Sequence, residues 1–121
     1  MYIYVCSPYS PPPLASMNAE QTYAHMTKNF EKVQAYMADR VRKDDKVVRY
    51  SPIMHWHEAA MTFNLGSANS DWVLHNRTML RNAKHLEVLQ LDGWNNSKGI
   101  KEEMQWAAEF DKKVYLIETS L

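Results

Sequence analysis

The segment from Leu89 to Glu103 limits the fold more than any other. Apolar Leu89-Gln90-Leu91 passes into the polar turn Asp92-Gly93-Trp94-Asn95-Asn96, and Ser97 then opens a helical pattern. A strand that runs through a tight loop into a helix is half of a βαβ unit, and such units build parallel sheets. The first N–H groups of a helix are unpaired and carry the positive end of its dipole, so the junction is suited to an anion such as phosphate. Ser97 either caps the helix or donates to that anion. Glu103 lies one turn beyond Gly99 at ~1.5 Å per residue.

The helical wheel separates the adjacent glutamates. Ile100, Met104, Ala107 and Ala108 define an inward stripe, and at ~100° per residue Glu103 falls within it while Glu102 points to the opposite side. A carboxylate on an apolar face is costly without partners. It is either a salt-bridged residue at the helix edge, favoured there by the dipole, or a functional group. Strand end, loop, helix start and misplaced charge coincide here, which favours function.

The rest of the chain alternates in the same way. Residues 2–6 and 47–50 form short strands, 86–91 a near-continuous apolar strand covered on both faces, and 114–117 a last strand. Ala19, Tyr23, Met26, Phe30, Val33 and Met37 recur at helical spacing behind a cap at Ser16 or Asn18. Residues 55–65 are a short helix or irregular, 72–83 a helix capped by Ser70 or Asp71, and 99 to about 111 the helix that carries Glu103. The expected architecture is a single α/β domain over residues 1–121, Rossmann-like or flavodoxin-like, with a parallel sheet of four to five strands flanked by helices. Ligands in such sheets sit at the carboxyl ends of the strands, which gathers residues 7–10, 52–57 and 92–99 at one edge. Ser7, Asp92 and Gly93 are candidate ligand contacts on those loops.

Composition narrows the partners. Lys plus Arg balance Asp plus Glu at 14 each, which argues against bulk electrostatic binding to nucleic acid and leaves room only for a local basic patch. Cys6 stands alone, so neither a disulfide framework nor a cysteine zinc site is expected, and a reducing, cytoplasmic home follows. No apolar run approaches the ~20 residues of a membrane span, and the N-terminus lacks signal-peptide features.

His55 and His57, two apart, would face one way in a strand and suggest a metal pair, but no other ligand cluster supports one. Tyr9 and Trp56 are suited to sandwich a flat base or to pack at a rim. Trp94 closes its loop against the core, Cys6 is a buried inert thiol, and Arg77 and Arg81 face solvent or a subunit contact.

Together, Tyr4-Val5-Cys6-Ser7-Pro8-Tyr9-Ser10, Ser51-Pro52-Ile53-Met54-His55-Trp56-His57 and the Gly93-Trp94-x-x-Ser97-x-Gly99-x-x-x-Glu103 element resemble the small nucleoside 2-deoxyribosyltransferase-like proteins. The resemblance is to a branch common in bacteria and their phages, and it spans nearly the whole chain. It implies a Rossmann-like enzyme acting at the N-glycosidic bond of a nucleoside or nucleotide, with no cofactor and with homo-oligomers as the usual state. A glutamate attacks C1′ in that family, and water or another base resolves the glycosyl-enzyme. By position Glu103 matches the nucleophile, Tyr4 the tyrosine that holds it, and Ser97 and Gly99 the phosphate-proximal loop. His55 matches a loop that faces the sugar–base pocket, with His57 the weaker contact.

The chemistry is that of a retaining glycosidase, in which the nucleophile must be ionised. Tyr4 and the helix dipole are expected to hold the Glu103 pKa down. The family's acid, an aspartate, is replaced here by Asn76. Either Asp71 has taken that role, or Asn76 hydrogen-bonds sugar or base, or the protein is a binding module that captures a nucleotide-derived, signalling-type ligand without turnover.

Overall fold

Four strands, Ile3–Cys6 (β1), Arg49–Tyr50 (β2), Leu86–Leu89 (β3) and Val114–Ile117 (β4), lie parallel in the order β2-β1-β3-β4 in a computed structural model. The structure describes residues 1–11, 16–63 and 72–119. Four α-helices connect and cover the sheet: Ala19–Lys43 (α1), Pro52–Phe63 (α2), Val73–Arg81 (α3) and Lys98–Glu109 (α4). This is the expected α/β architecture, with four strands among the described residues.

Alternation along the strands divides the core in two. Ile3, Val5 and Leu89 face α1 and α2, meeting Val33, Tyr36 and Ile53. Tyr4, Cys6, Leu86 and Val88 face α3 and α4, meeting Leu80, Ile100 and Ala107. Both β1 and β3 are buried along their whole length, which explains why each reads as a continuous apolar run.

Local chemistry sets the helix starts. Asn18 and Gln21 form a reciprocal capping box at α1, so Asn18 is the cap and Ser16 is not. At α1 the buried residues are Met26, Asn29, Val33 and Tyr36, while Ala19 and Tyr23 are exposed. A helix of 25 residues spans ~37 Å, far longer than a four-residue strand at ~13 Å, so its ends overhang the sheet. Ser51 and Pro52 end β2 and also start α2: Ser51 Oγ accepts from the Met54 amide at 3.3 Å, and proline fits a first helical position. The anticipated caps Ser70 and Asp71 lie outside the described residues. Trp94 packs against the α3/α4 core, as expected. Arg77 is engaged within the fold, donating to Glu109 at 3.1 Å and lying over the Phe110 ring.

Glu87 is the exception to the apolar reading of β3. It is buried beneath α1, where it accepts from Arg49 Nε at 2.9 Å and from the Tyr36 hydroxyl at 2.8 Å.

Candidate active site

The chain leaves β1 toward α1 on one face of the sheet and leaves β3 toward α4 on the other. Loops diverge at that point, and a cavity of about 560 Å³ opens there. Its size is in the range of small-molecule sites, and its place is where open α/β sheets bind ligands.

One wall is the β3–α4 junction. Gly93 adopts φ +85°, a left-handed conformation that turns the chain out of the strand without the strain a side chain would bring. A single 3-10 turn, Trp94–Asn96, follows, and Ser97 caps α4 by accepting from the Ile100 amide at 3.3 Å. The serine caps the helix with its oxygen while its hydroxyl proton remains available. The amides of Lys98 and Gly99 have no hydrogen-bond partner among the described residues. Asp92, Gly93, Ser97 and Gly99 all line the cavity.

Farther along α4, Glu102, Glu103 and Trp106 line the cavity with Gly99. The expectation that Glu102 turns away is therefore corrected. Ile100 and Ala107 alone are buried in the core, and the neighbouring stripe at 99, 102, 103 and 106 faces the void. That spacing is present in the sequence and would have found Trp106 as well.

Glu103 is partly exposed, toward the cavity, and packed by protein elsewhere. Burial pushes its pKa up to about 8, the Tyr4 hydroxyl lowers it, and the Glu102 charge adds to the rise. The expectation that tyrosine and dipole would hold it down is thus reversed, because desolvation outweighs them. Tyr4 is buried and raised in pKa by burial and then by Glu103. The two groups are close enough to shift each other's proton affinity. Yet the hydroxyl has no partner of ordinary hydrogen-bond geometry among the described residues. Cys6 also lines the cavity, a free buried thiol whose pKa is raised by burial and by Glu103.

The opposite wall comes from the β1 loop, α2 and α3. Ser7 is buried and its Oγ has no partner among the described residues. Tyr9 lines the cavity with its hydroxyl 2.6 Å from His57 Nδ1, and Phe30 stacks on the same imidazole at 4.2 Å. Trp56 lines the cavity within an aromatic cluster, tilted against Trp72 at 5.2 Å, and its buried Nε1 has no partner among the described residues. Asn76 lines it from α3.

The two histidines exchange the roles expected of them. His57 lines the cavity, whereas His55 is exposed outside it, stacked on the His75 ring at 4.9 Å. Residues two apart share a face in a strand but are ~200° apart on a helix, and this segment is α2. The same geometry separates the pair as metal ligands. No group of three metal-binding side chains occurs among the described residues. Asp71, the other candidate acid, lies outside those residues. No helix among them is long and apolar enough to cross a membrane.

Sequence comparison adds one match. The profile of a protein family described as a domain of unknown function fits residues 1–119. No curated protein matches the chain.

Proposed function

The chain belongs to the DUF1937 family, a domain of unknown function, and from the geometry of the cavity we propose that it acts at the N-glycosidic bond of a nucleotide or deoxynucleotide through Glu103. One observation carries the reading: a carboxyl group set on the wall of a cavity at the sheet's switch point, one helical turn from unpaired amides. The amides of Lys98 and Gly99 receive the phosphate. That places the anomeric carbon against Glu103.

In the reaction the ionised carboxylate forms a bond to C1′ as the C1′–N bond breaks. The electron pair leaves on the base nitrogen, which takes up a proton from solvent. Water, or the nitrogen of a second base, then forms its bond to C1′ as the bond to the carboxylate breaks, and it gives up a proton to solvent, which closes the cycle. Tyr4 hydrogen-bonds the carboxylate once it is charged. Asn76 offers the departing base a hydrogen bond but no proton, which favours bases that leave readily.

A second reading, a module that binds such a ligand without turnover, has two observations in its favour. Asn76, an amide that cannot supply a proton, lines the cavity from α3, and Glu103 is raised toward its neutral form. Incubation with a panel of nucleosides and nucleotides, read as free base by chromatography, separates the two. Release by the wild type, abolished in Glu103→Gln, supports the enzyme. Binding by both proteins with release by neither selects the module. Self-association belongs to the same proposal, and light scattering from a monomer at micromolar concentration removes that part.

A further inference from the structure

The wall facing Glu103 has hydrogen-bond donors that the protein does not use. Trp56 Nε1 is a donor only; it and Ser7 Oγ are buried with no partner among the described residues. The third is His57, whose ring is fixed by two contacts. Phe30 lies parallel to it at 4.2 Å, and the Tyr9 hydroxyl reaches Nδ1 at 2.6 Å.

That second contact sets the tautomer. Burial raises the Tyr9 pKa to about 12, so the hydroxyl keeps its proton. Burial also lowers the His57 pKa, against the opposing charge of Glu58, so the imidazole is neutral. Nδ1 is the acceptor that the Tyr9 hydroxyl reaches among the described residues; were Nδ1 to carry the hydrogen, the half-buried hydroxyl would have to donate to solvent instead. With the hydroxyl donating to Nδ1, the ring hydrogen is on Nε2. Nε2 has no partner among the described residues and is not among the buried unpartnered atoms. On a side chain that lines the cavity, it is open to a ligand.

We infer that His57, locked as the Nε2–H tautomer by Tyr9 and Phe30, is a specificity-determining residue that selects heterocycles presenting a ring nitrogen or carbonyl acceptor to the β1–α2 wall. Ser7 and Trp56 donate beside it, so an acceptor-rich edge satisfies three groups that are otherwise unmet. A base with a C–H at the contacted position leaves a donor buried and unpaired. A neutral imidazole is suited to this role because it donates without competing for the proton of the base. Tyr9 is the positioning residue. The inference rests on the nucleotide reading for its ligand class, but it concerns binding and not turnover.

Two measurements test it. In ¹⁵N-histidine-labelled protein, the His57 resonances are expected to show a protonated Nε2 and an unprotonated Nδ1, and Tyr9→Phe should convert them to a mixture. In parallel, nucleoside 5′-monophosphates and their 3-deaza, 7-deaza and 4-deoxy counterparts are titrated by calorimetry. The wild type should lose about tenfold in affinity for at least one acceptor-to-C–H replacement. His57→Leu should reduce that ratio to about one, and His57→Gln, which keeps an N–H near the Nε2 position, should restore most of it. A hydrogen on Nδ1, a ratio unchanged in His57→Leu, or failure of every monophosphate to bind overturns the inference. Discrimination without base release leaves it standing and removes the glycosidic reading. Base release with unaltered discrimination in His57→Leu does the reverse.

Discussion

Arg49 meets Glu87 at two points across the width of β1, Nε to Oε1 at 2.9 Å and Nη2 to Oε2 at 3.3 Å. The protein thus treats two glutamates in opposite ways. Glu87, on the α1 side, has a cation and a tyrosine. Burial would raise its pKa, but Arg49 and Tyr36 outweigh that and hold the carboxyl below its usual range. Glu103, on the other side, has Tyr4 alone to lower its pKa among the described residues, and burial prevails.

Glu87→Gln is expected to destabilise the fold by about 3 kcal/mol at neutral pH, because it leaves a buried guanidinium without its counter-charge. A depressed pKa contributes stability above the unfolded value of 4.5 and loses it as pH falls through the lower folded value. The gap between variant and wild type in urea unfolding should therefore narrow in acid. A gap that holds constant down to pH 2 would speak against the pairing.

Glu103→Gln should have the opposite effect. The folded pKa of about 8 lies above the unfolded 4.5, so the acid is tolerated in its neutral form. The wild type loses stability as pH rises between those values. The variant should match it near pH 4 and exceed it by roughly 2–4 kcal/mol above pH 8. Equal unfolding midpoints at pH 9 would show that the carboxyl is well solvated.

Because attack requires the carboxylate, kcat/KM for base release should climb about tenfold per pH unit and level off near pH 8. A profile already flat at pH 6 would mean that Glu103 ionises normally or does not take part.

Tyr4→Phe should separate stability from activity. Among the described residues its buried hydroxyl has no bond of ordinary geometry, so deletion should leave stability unchanged or raise it by about 1 kcal/mol. Turnover should fall by about 1–3 kcal/mol of transition-state stabilisation, the worth of one hydrogen bond to a charged group. A parallel loss of both would make Tyr4 a packing residue only.

Gly99→Ala probes the amides at the start of α4. An added Cβ would meet only Ser97 Oγ at 3.9 Å, an ordinary contact, and alanine suits a helix better than glycine. The fold should be as stable or more so. Because Gly99 lines the cavity, the methyl group would enter the space proposed for the phosphate, and affinity for nucleoside 5′-phosphates should drop by about tenfold or more while nucleosides are spared. Equal losses for both ligands would place the phosphate elsewhere.

What was legible in the chain follows from local periodicity. The β3–α4 junction, the cap at Ser97 and the presence of Glu103 at the site depend on neighbours within one turn, and the sequence carries them. The roles of His55 and His57 depended on whether one short segment is strand or helix, and the two choices give opposite answers. Glu87 was hidden in an apolar run because its partners, Arg49 and Tyr36, are distant in sequence. The direction of the Glu103 shift was missed for a related reason. Capping and dipole effects are visible along one helix, but desolvation comes from everything packed around it.

Gly99 and Glu103 are on one rigid rod, a turn apart, with the rod's origin fixed by the left-handed Gly93 and the Ser97 cap. The rise of ~1.5 Å per residue then makes α4 a gauge of about 6 Å between its anion end and its carboxyl. For the proposed ligand this gauge measures one sugar. A phosphate carried directly on the sugar whose anomeric carbon reacts reaches both marks, whereas one displaced by a further unit overshoots. Ligand length would be selected by the helix itself, independently of whatever recognises the base.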